Sequence, residues 1–140
     1  MNLALNGVTA GRSLAVAVRW LNASVTLSSV ACTGESNLTL QTRAVESVSS
    51  KAVQWAVLDN ITAGGDKTIT ATWSGNTNHM GMFAVEIING KVTGVFDVIA
   101  NATNSGSANP SGNITTVSNN DALLAQAWTA GGTVTAGSGY

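Results

Sequence analysis

Apolar and small polar residues alternate with period two along most of this chain. Leu14, Val16, Val18 and Trp20 interleave with Ala15, Ala17 and Arg19; Val53, Trp55 and Val57 interleave with Ala52, Gln54 and Ala56; Ile69, Ala71 and Trp73 interleave with Thr68, Thr70 and Thr72. Successive side chains of a strand point to opposite faces, so this period marks strands with one face on a core. The pattern predicts about nine strands, near residues 2–5, 14–21, 24–31, 38–48, 51–59, 67–73, 80–88, 92–100 and 122–129. Shorter extended pieces are expected near 113–117 and 133–135. Trp20, Trp55 and Trp73 fall in register with aliphatic neighbours and are expected in the core. Phe83, Val85 and Ile87 define a buried face, from which Glu86 should point away toward solvent or a cross-strand Lys or Arg.

Turn chemistry separates these runs. Ala63-Gly64-Gly65-Asp66 and Asn89-Gly90 supply the positive φ that tight hairpins need, and Ser74-Gly75-Asn76-Thr77-Asn78-His79 reads as a hairpin tip. Residues 101–112, rich in Asn, Ser, Gly and Ala and holding the only proline, Pro110, read as a long surface loop or crossover. Short strands at regular spacing with little helical patterning point to an all-β fold. The expected architecture is an antiparallel two-sheet β-sandwich, jelly-roll-like, in a single domain over residues 1–140.

Composition narrows the function. The chain of 140 residues is 44% hydrophobic but only 9% charged, against the ~25% usual for soluble domains. A domain of this size buries roughly two-thirds of its unfolded surface, so neither disulfides nor a metal are required for a core. The net charge is −1 and the six basic residues stand singly, which gives no footprint for nucleic acid. No apolar run approaches the ~20 residues of a membrane-spanning helix. Residues 1–5 lack the basic and long apolar regions of a signal peptide, which suggests a processed or partial product, or exit by another route such as lysis, as from within a virus particle.

Several stretches, in order, resemble a broad group of β-sandwich modules found in bacterial secreted proteins and phage virion proteins. They are Val8-Thr9-Ala10-Gly11 before the aliphatic strand at 14–20; the Gly-turn and alternating-Thr run from Ala63 to Gly75; Ala84-Val85-Glu86-Ile87-Ile88-Asn89-Gly90; Asn120-Asp121-Ala122-Leu123-Leu124; and Thr135-Ala136-Gly137-Ser138-Gly139-Tyr140. The resemblance implies a sandwich with no agreed catalytic residues. Modules of that group continue past the Gly-Ser-Gly-aromatic stretch, so either a sheet here lacks its final strand or strands and is completed by another subunit, or the chain is a truncated piece of a longer one.

Few residues could carry chemistry. His79 has no neighbours in sequence that would make it a metal ligand or a triad base, and reads as a solvated loop histidine. Asp59 and Asp66, with Asn60, could donate oxygens to calcium, but Asp and Asn at turns cap backbone N–H groups equally well. The lone Cys32 excludes an internal disulfide and reads as a small buried hydrophobe. Asn-x-Ser/Thr triplets begin at Asn22, Asn37, Asn60, Asn101 and Asn113, and matter only on a glycosylating route. Trp128 and Tyr140 are the candidates for a surface contact, with a sugar or with a subunit. No cofactor motif is present. An enzyme would need folding to gather a cluster such as His79, Asp66 and Glu86 within hydrogen-bond reach. The expectation is therefore a non-catalytic structural or assembly protein of a virion (decoration, fibre or tail component) or of a cell-surface filament. Its partners would be copies of itself or other assembly subunits, and its location extracellular or in the virion. The alternative is a carbohydrate-binding or adhesion module of a secreted protein.

Overall fold

The computed structural model describes residues 1–46, 50–88 and 94–96, with Thr115, Leu124 and Gln126. Eight strands and no helix are found there: β1 (Asn2–Val8), β2 (Ser13–Leu21), β3 (Leu27–Cys32), β4 (Thr39–Leu40), β5 (Ala44–Glu46), β6 (Lys51–Leu58), β7 (Gly65–Trp73) and β8 (Asn78–Ile87). They form two antiparallel sheets, a three-stranded one ordered β1-β7-β3 and a five-stranded one ordered β4-β6-β2-β8, in which β5 also pairs with β6. The chain changes sheet at five of the seven connections between these strands. The Gly64-Gly65 turn and the 74–78 turn therefore link sheets and do not close hairpins, a correction to the expectation. Their glycines serve a corner instead. Gly65 has φ +112°, and a Cβ on Gly64 would lie 3.0 Å from the Val8 carbonyl oxygen.

One core joins the sheets. Leu27, Val30, Cys32, Ile69 and Ala71 from the three-stranded sheet meet Leu14, Val16, Val18, Trp20, Ala52, Ala56 and Leu58 from the five-stranded one. Along β7 the alternation reads as expected, with Lys67, Ile69 and Ala71 buried and Thr68 and Thr72 exposed. Trp20 is fully buried, donates Nε1–H to the Val25 carbonyl at 3.0 Å, and meets Trp73 edge-on at 6.3 Å between centroids.

The phase of β6 and β8 is the reverse of the expectation. Register sets Val16 between Ala56 and Ala84, and Ala17 between Trp55 and Phe83. The small alanines of β6 and β8 thus face the core, filled there by the large residues of β2. Trp55 and Phe83 stand on the outer face, where the small Ala17 between them lets their rings meet edge-on at 5.5 Å. Trp55 is buried there, with Ala15 and Ala17, in a second cluster outside the main core. Phe83, expected on a buried face, is 39% exposed.

Other boundaries moved as well. The run predicted over 38–48 is divided into β4 and β5, and the one predicted from residue 24 begins at Leu27. His79 lies not in a loop but inside β8, at φ +50°, where the β2–β8 register slips by one residue between Arg19 and Leu21. A left-handed residue at such a slip is a β-bulge. Residues 94–96 carry no strand, contrary to the one expected over 92–100. Leu124 and Gln126 likewise carry none, against the strand expected over 122–129, and Thr115 none against the piece expected near 113–117. The Asn89-Gly90 turn, residues 101–112, the piece at 133–135, Trp128 and Tyr140 lie outside the described residues.

Candidate functional site

The more enclosed of the two ion pairs among the described residues is one that no motif announced. Lys67 Nζ lies 2.8 Å from Glu35 Oε1, and the two side chains are 6% and 1% exposed. Lys67 reaches this position because it continues the inward face of β7, in phase with Ile69 and Ala71. Glu35 comes from the turn after β3, where its own N–H donates to the Cys32 carbonyl. Its carboxylate also accepts the Thr62 N–H at 3.0 Å, the Thr62 hydroxyl at 2.7 Å and the Ala63 N–H at 3.3 Å. Burial alone would raise the Glu35 pKa. The hydrogen bonds from Lys67, the Thr62 hydroxyl and the two amides outweigh it and hold the carboxyl at about 2, below its ordinary 4.5. Cys32 is buried beside the pair. Burial pushes its thiol up, Lys67 pulls it down by less, and Glu35 adds to the rise. The arrangement holds Glu35 ionised and makes Cys32 a poor nucleophile, so its chemistry is that of a structural tie.

The other acids also cap backbone. Asp66 Oδ1 accepts the Gly7 N–H at 2.9 Å, at the bulge where Gly7 adopts φ +65°. Asp59 accepts the N–H groups of Gly94 at 2.9 Å and Val95 at 3.2 Å. Glu86 pairs with Arg12, just before β2, at 3.2 Å and accepts the Thr9 N–H at 2.8 Å. Its partner is an Arg as expected, but it lies on the face of Met82 and Ala84, which is the inner one, a correction to the expectation. Asp59 and Asp66 thus serve different loops, and no group of three or more His, Cys, Asp or Glu is gathered among the described residues. His79 and Glu86 lie seven positions apart on β8, about 23 Å at the rise of a strand. The cluster of His79, Asp66 and Glu86 is not assembled.

The outer face of the five-stranded sheet has a different character. Ala15, Ala17, Trp55 and Val57 are buried on it, Phe83 is exposed and Ile87 half-buried, and Arg19 crosses it above Gly81. A Cβ on Gly81 would collide with Arg19 Nε and stand 3.1 and 3.2 Å from its Cγ and Cδ, so the glycine makes room for the side chain. β8 borders this face. It is a ten-residue strand, Asn-His-Met-Gly-Met-Phe-Ala-Val-Glu-Ile, of which no residue is buried. Met80 and Phe83 within it and Ile88 just after it are 43%, 39% and 61% exposed. Neither Trp128 nor Tyr140 can be placed relative to this surface. Comparison of the chain with protein families, curated proteins and solved structures finds no match in any of the three.

Proposed function

We propose that this chain is a non-catalytic structural subunit of a larger assembly, built as a β-sandwich of jelly-roll type from its two antiparallel sheets. The particle would be a virion, where the chain serves as a decoration, fibre or tail component, or a cell-surface filament. The observation that carries the reading is β8, a long, largely apolar strand that stands last in the five-stranded sheet among the described residues, with none of its residues buried. Apolar strands left at an edge promote association unless charge, proline or cover blunts them. Among the described residues the acids support it too, since four of them are engaged in capping backbone N–H groups. A sugar platform would need a broad exposed aromatic face. Trp20 and Trp55 are buried, and Phe83 is the exposed ring among the described residues. The test is the mass of the untagged protein by light scattering after size exclusion, with electron micrographs of the same fraction. A defined oligomer, ring or fibre is expected. A monomer of 14.1 kDa at micromolar concentration overturns the reading.

A further inference from the structure

From the burial pattern on the outer face of the five-stranded sheet we infer that residues 96–100 of this chain lie across that face as a third layer, entering at Asp59. The inference stands apart from the assembly reading, because the burial belongs to a single chain. In one row of this face Ala15 and Val57 are neighbours, flanked by Val85 and Thr39; in the next, Ala17 lies between Trp55 and Phe83. Ala15, Ala17, Val57 and Trp55 are 2%, 0%, 4% and 8% exposed, whereas Thr39 is exposed and Val85 half-buried. Side chains on one face of a sheet stand side by side, so hiding an alanine methyl and a valine to this degree takes atoms above them. The eight strands do not supply those atoms. Five of them make this sheet, and the other three contribute to the core on its inner face.

The footprint gives the size of the cover and its point of entry. Along β2 burial runs from Ser13 through Ala15 to Ala17 and stops at Arg19, which is exposed. That is about 13 Å of strand, and it is one pair of strands wide, since Thr39 on one side and Phe83 on the other are exposed. Such a strip fits a single extended segment of about five residues. The chain arrives at one end of it. Asp59 continues the outward series Val53, Trp55 and Val57 just past β6, and its carboxylate holds the N–H groups of Gly94 at 2.9 Å and Val95 at 3.2 Å. Phe96, the next residue, is half-buried. From there Phe96, Val98 and Ala100 alternate with Asp97 and Ile99, which gives an apolar side for the sheet and turns the one charge away from it. The bulky Phe96 then falls on the low row of Ala15 and Val57, and the smaller Val98 on the row that Trp55 already fills.

The test reads the labelling of thiols by a maleimide in the full chain. Ala15→Cys puts a thiol under the cover, Thr39→Cys puts one at the exposed end of the same row, and Cys32 in the inner core reports whether each variant is folded. The thiol of Ala15→Cys should label as slowly as Cys32, and that of Thr39→Cys fast. Adding Phe96→Ser to Ala15→Cys should speed labelling of the introduced thiol about tenfold or more, the worth of one large buried side chain, with Cys32 still slow. Adding Trp128→Ser should not. Fast labelling of Ala15→Cys alone overturns the inference, and so does labelling that Phe96→Ser fails to speed; if Trp128→Ser speeds it instead, a later stretch holds the face. A rate that climbs as the protein is diluted gives the face to a second copy and overturns it as well. If Phe96→Ser also opens Cys32, Asp59→Asn, which loosens only the anchor at Gly94 and Val95, is read in its place with the same direction expected. None of these outcomes depends on the mass of the particle, so the assembly reading can fail while this one stands.

Discussion

Replacing Glu35 by Gln keeps the shape of the side chain and removes its charge from four donors. Lys67 would then stand 6% exposed against an amide, and the N–H groups of Thr62 and Ala63 would share one weak acceptor. Breaking a deeply buried pair from one side costs about 3–5 kcal/mol. Glu35 lies beneath a turn whose Thr62 and Ala63 are exposed, so water relieves part of the loss and about 2–3 kcal/mol is expected. At roughly 3 °C per kcal/mol for a chain of this length, the thermal midpoint should fall by roughly 6–9 °C at neutral pH. The pH dependence gives a sharper test. The folded carboxyl titrates at about 2 and its ordinary value is 4.5, so its stabilisation is complete above 4.5 and is lost as pH falls toward 2. In urea titrations across that window the parent should lose up to about 1.4 kcal/mol per pH unit from this group, a limb missing from Glu35→Gln. The double variant Glu35→Leu/Lys67→Met should recover much of the loss, since no charge is left buried. Parallel pH–stability curves for parent and Glu35→Gln between 4.5 and 2 would refute the reasoning.

Three further outcomes follow from the packing. Trp20→Ala removes a fully buried indole, its bond to Val25 and its edge contact with Trp73, and should cost about 3–5 kcal/mol in urea unfolding. A loss under about 1 kcal/mol would mean that the joint core is not built as described. Cys32, buried and with its thiol pushed up, should react with a maleimide only as fast as the protein opens, and at the free-thiol rate once urea is added; rapid native labelling would contradict its place in the core. Asp59→Asn should speed hydrogen exchange at Gly94 and Val95 while leaving the amides of β6 unchanged, and equal protection in both proteins would count against the clamp.

How far the fold can be read from the chain depends on register. That residues 14–21 and 67–73 are strands, and which side of each is inward, follows from alternation alone, because Val and Ile oppose Ala or Thr. In β6 and β8 both faces are apolar, and alternation by size points the wrong way. The rows explain it. Val16 lies between Ala56 and Ala84, and Ala17 between Trp55 and Phe83, so in these two rows large and small residues alternate across the strands. In these rows a large residue on the central strand meets small ones on its neighbours on the core face, and the reverse holds on the other face. That rule applies only once strand partners are known, and a shift of one residue would invert it. The turns misled for a related reason: Gly65 has a positive φ, as a hairpin glycine would, but the turn takes the chain between sheets, where the same backbone freedom makes a corner.

The polar site was half legible. Lys67 stands in phase with Ile69 and Ala71, and a lysine on the buried side of an alternating strand calls for a buried partner. Glu35 carries no such sign, since it occupies an ordinary Thr-Gly-Glu-Ser turn and meets Lys67 across 32 positions. A common rule nonetheless links the acids. The chain has seven carboxylates, and four of them, Glu35, Asp59, Asp66 and Glu86, accept backbone N–H groups where chain leaves a strand or bulges within one. In a protein with so little charge, an ionised acceptor is used where a backbone donor would otherwise go without a partner. The cost of neutralising each acid should then follow burial and the number of amides it holds, not proximity to other charges. Glu35→Gln should cost most, Asp59→Asn with one exposed and one part-buried amide about 1 kcal/mol, and Asp66→Asn and Glu86→Gln with one amide each less than that. If Glu86→Gln matched Glu35→Gln, the Arg12 ion pair and not amide capping would be the governing interaction, and the rule would fail.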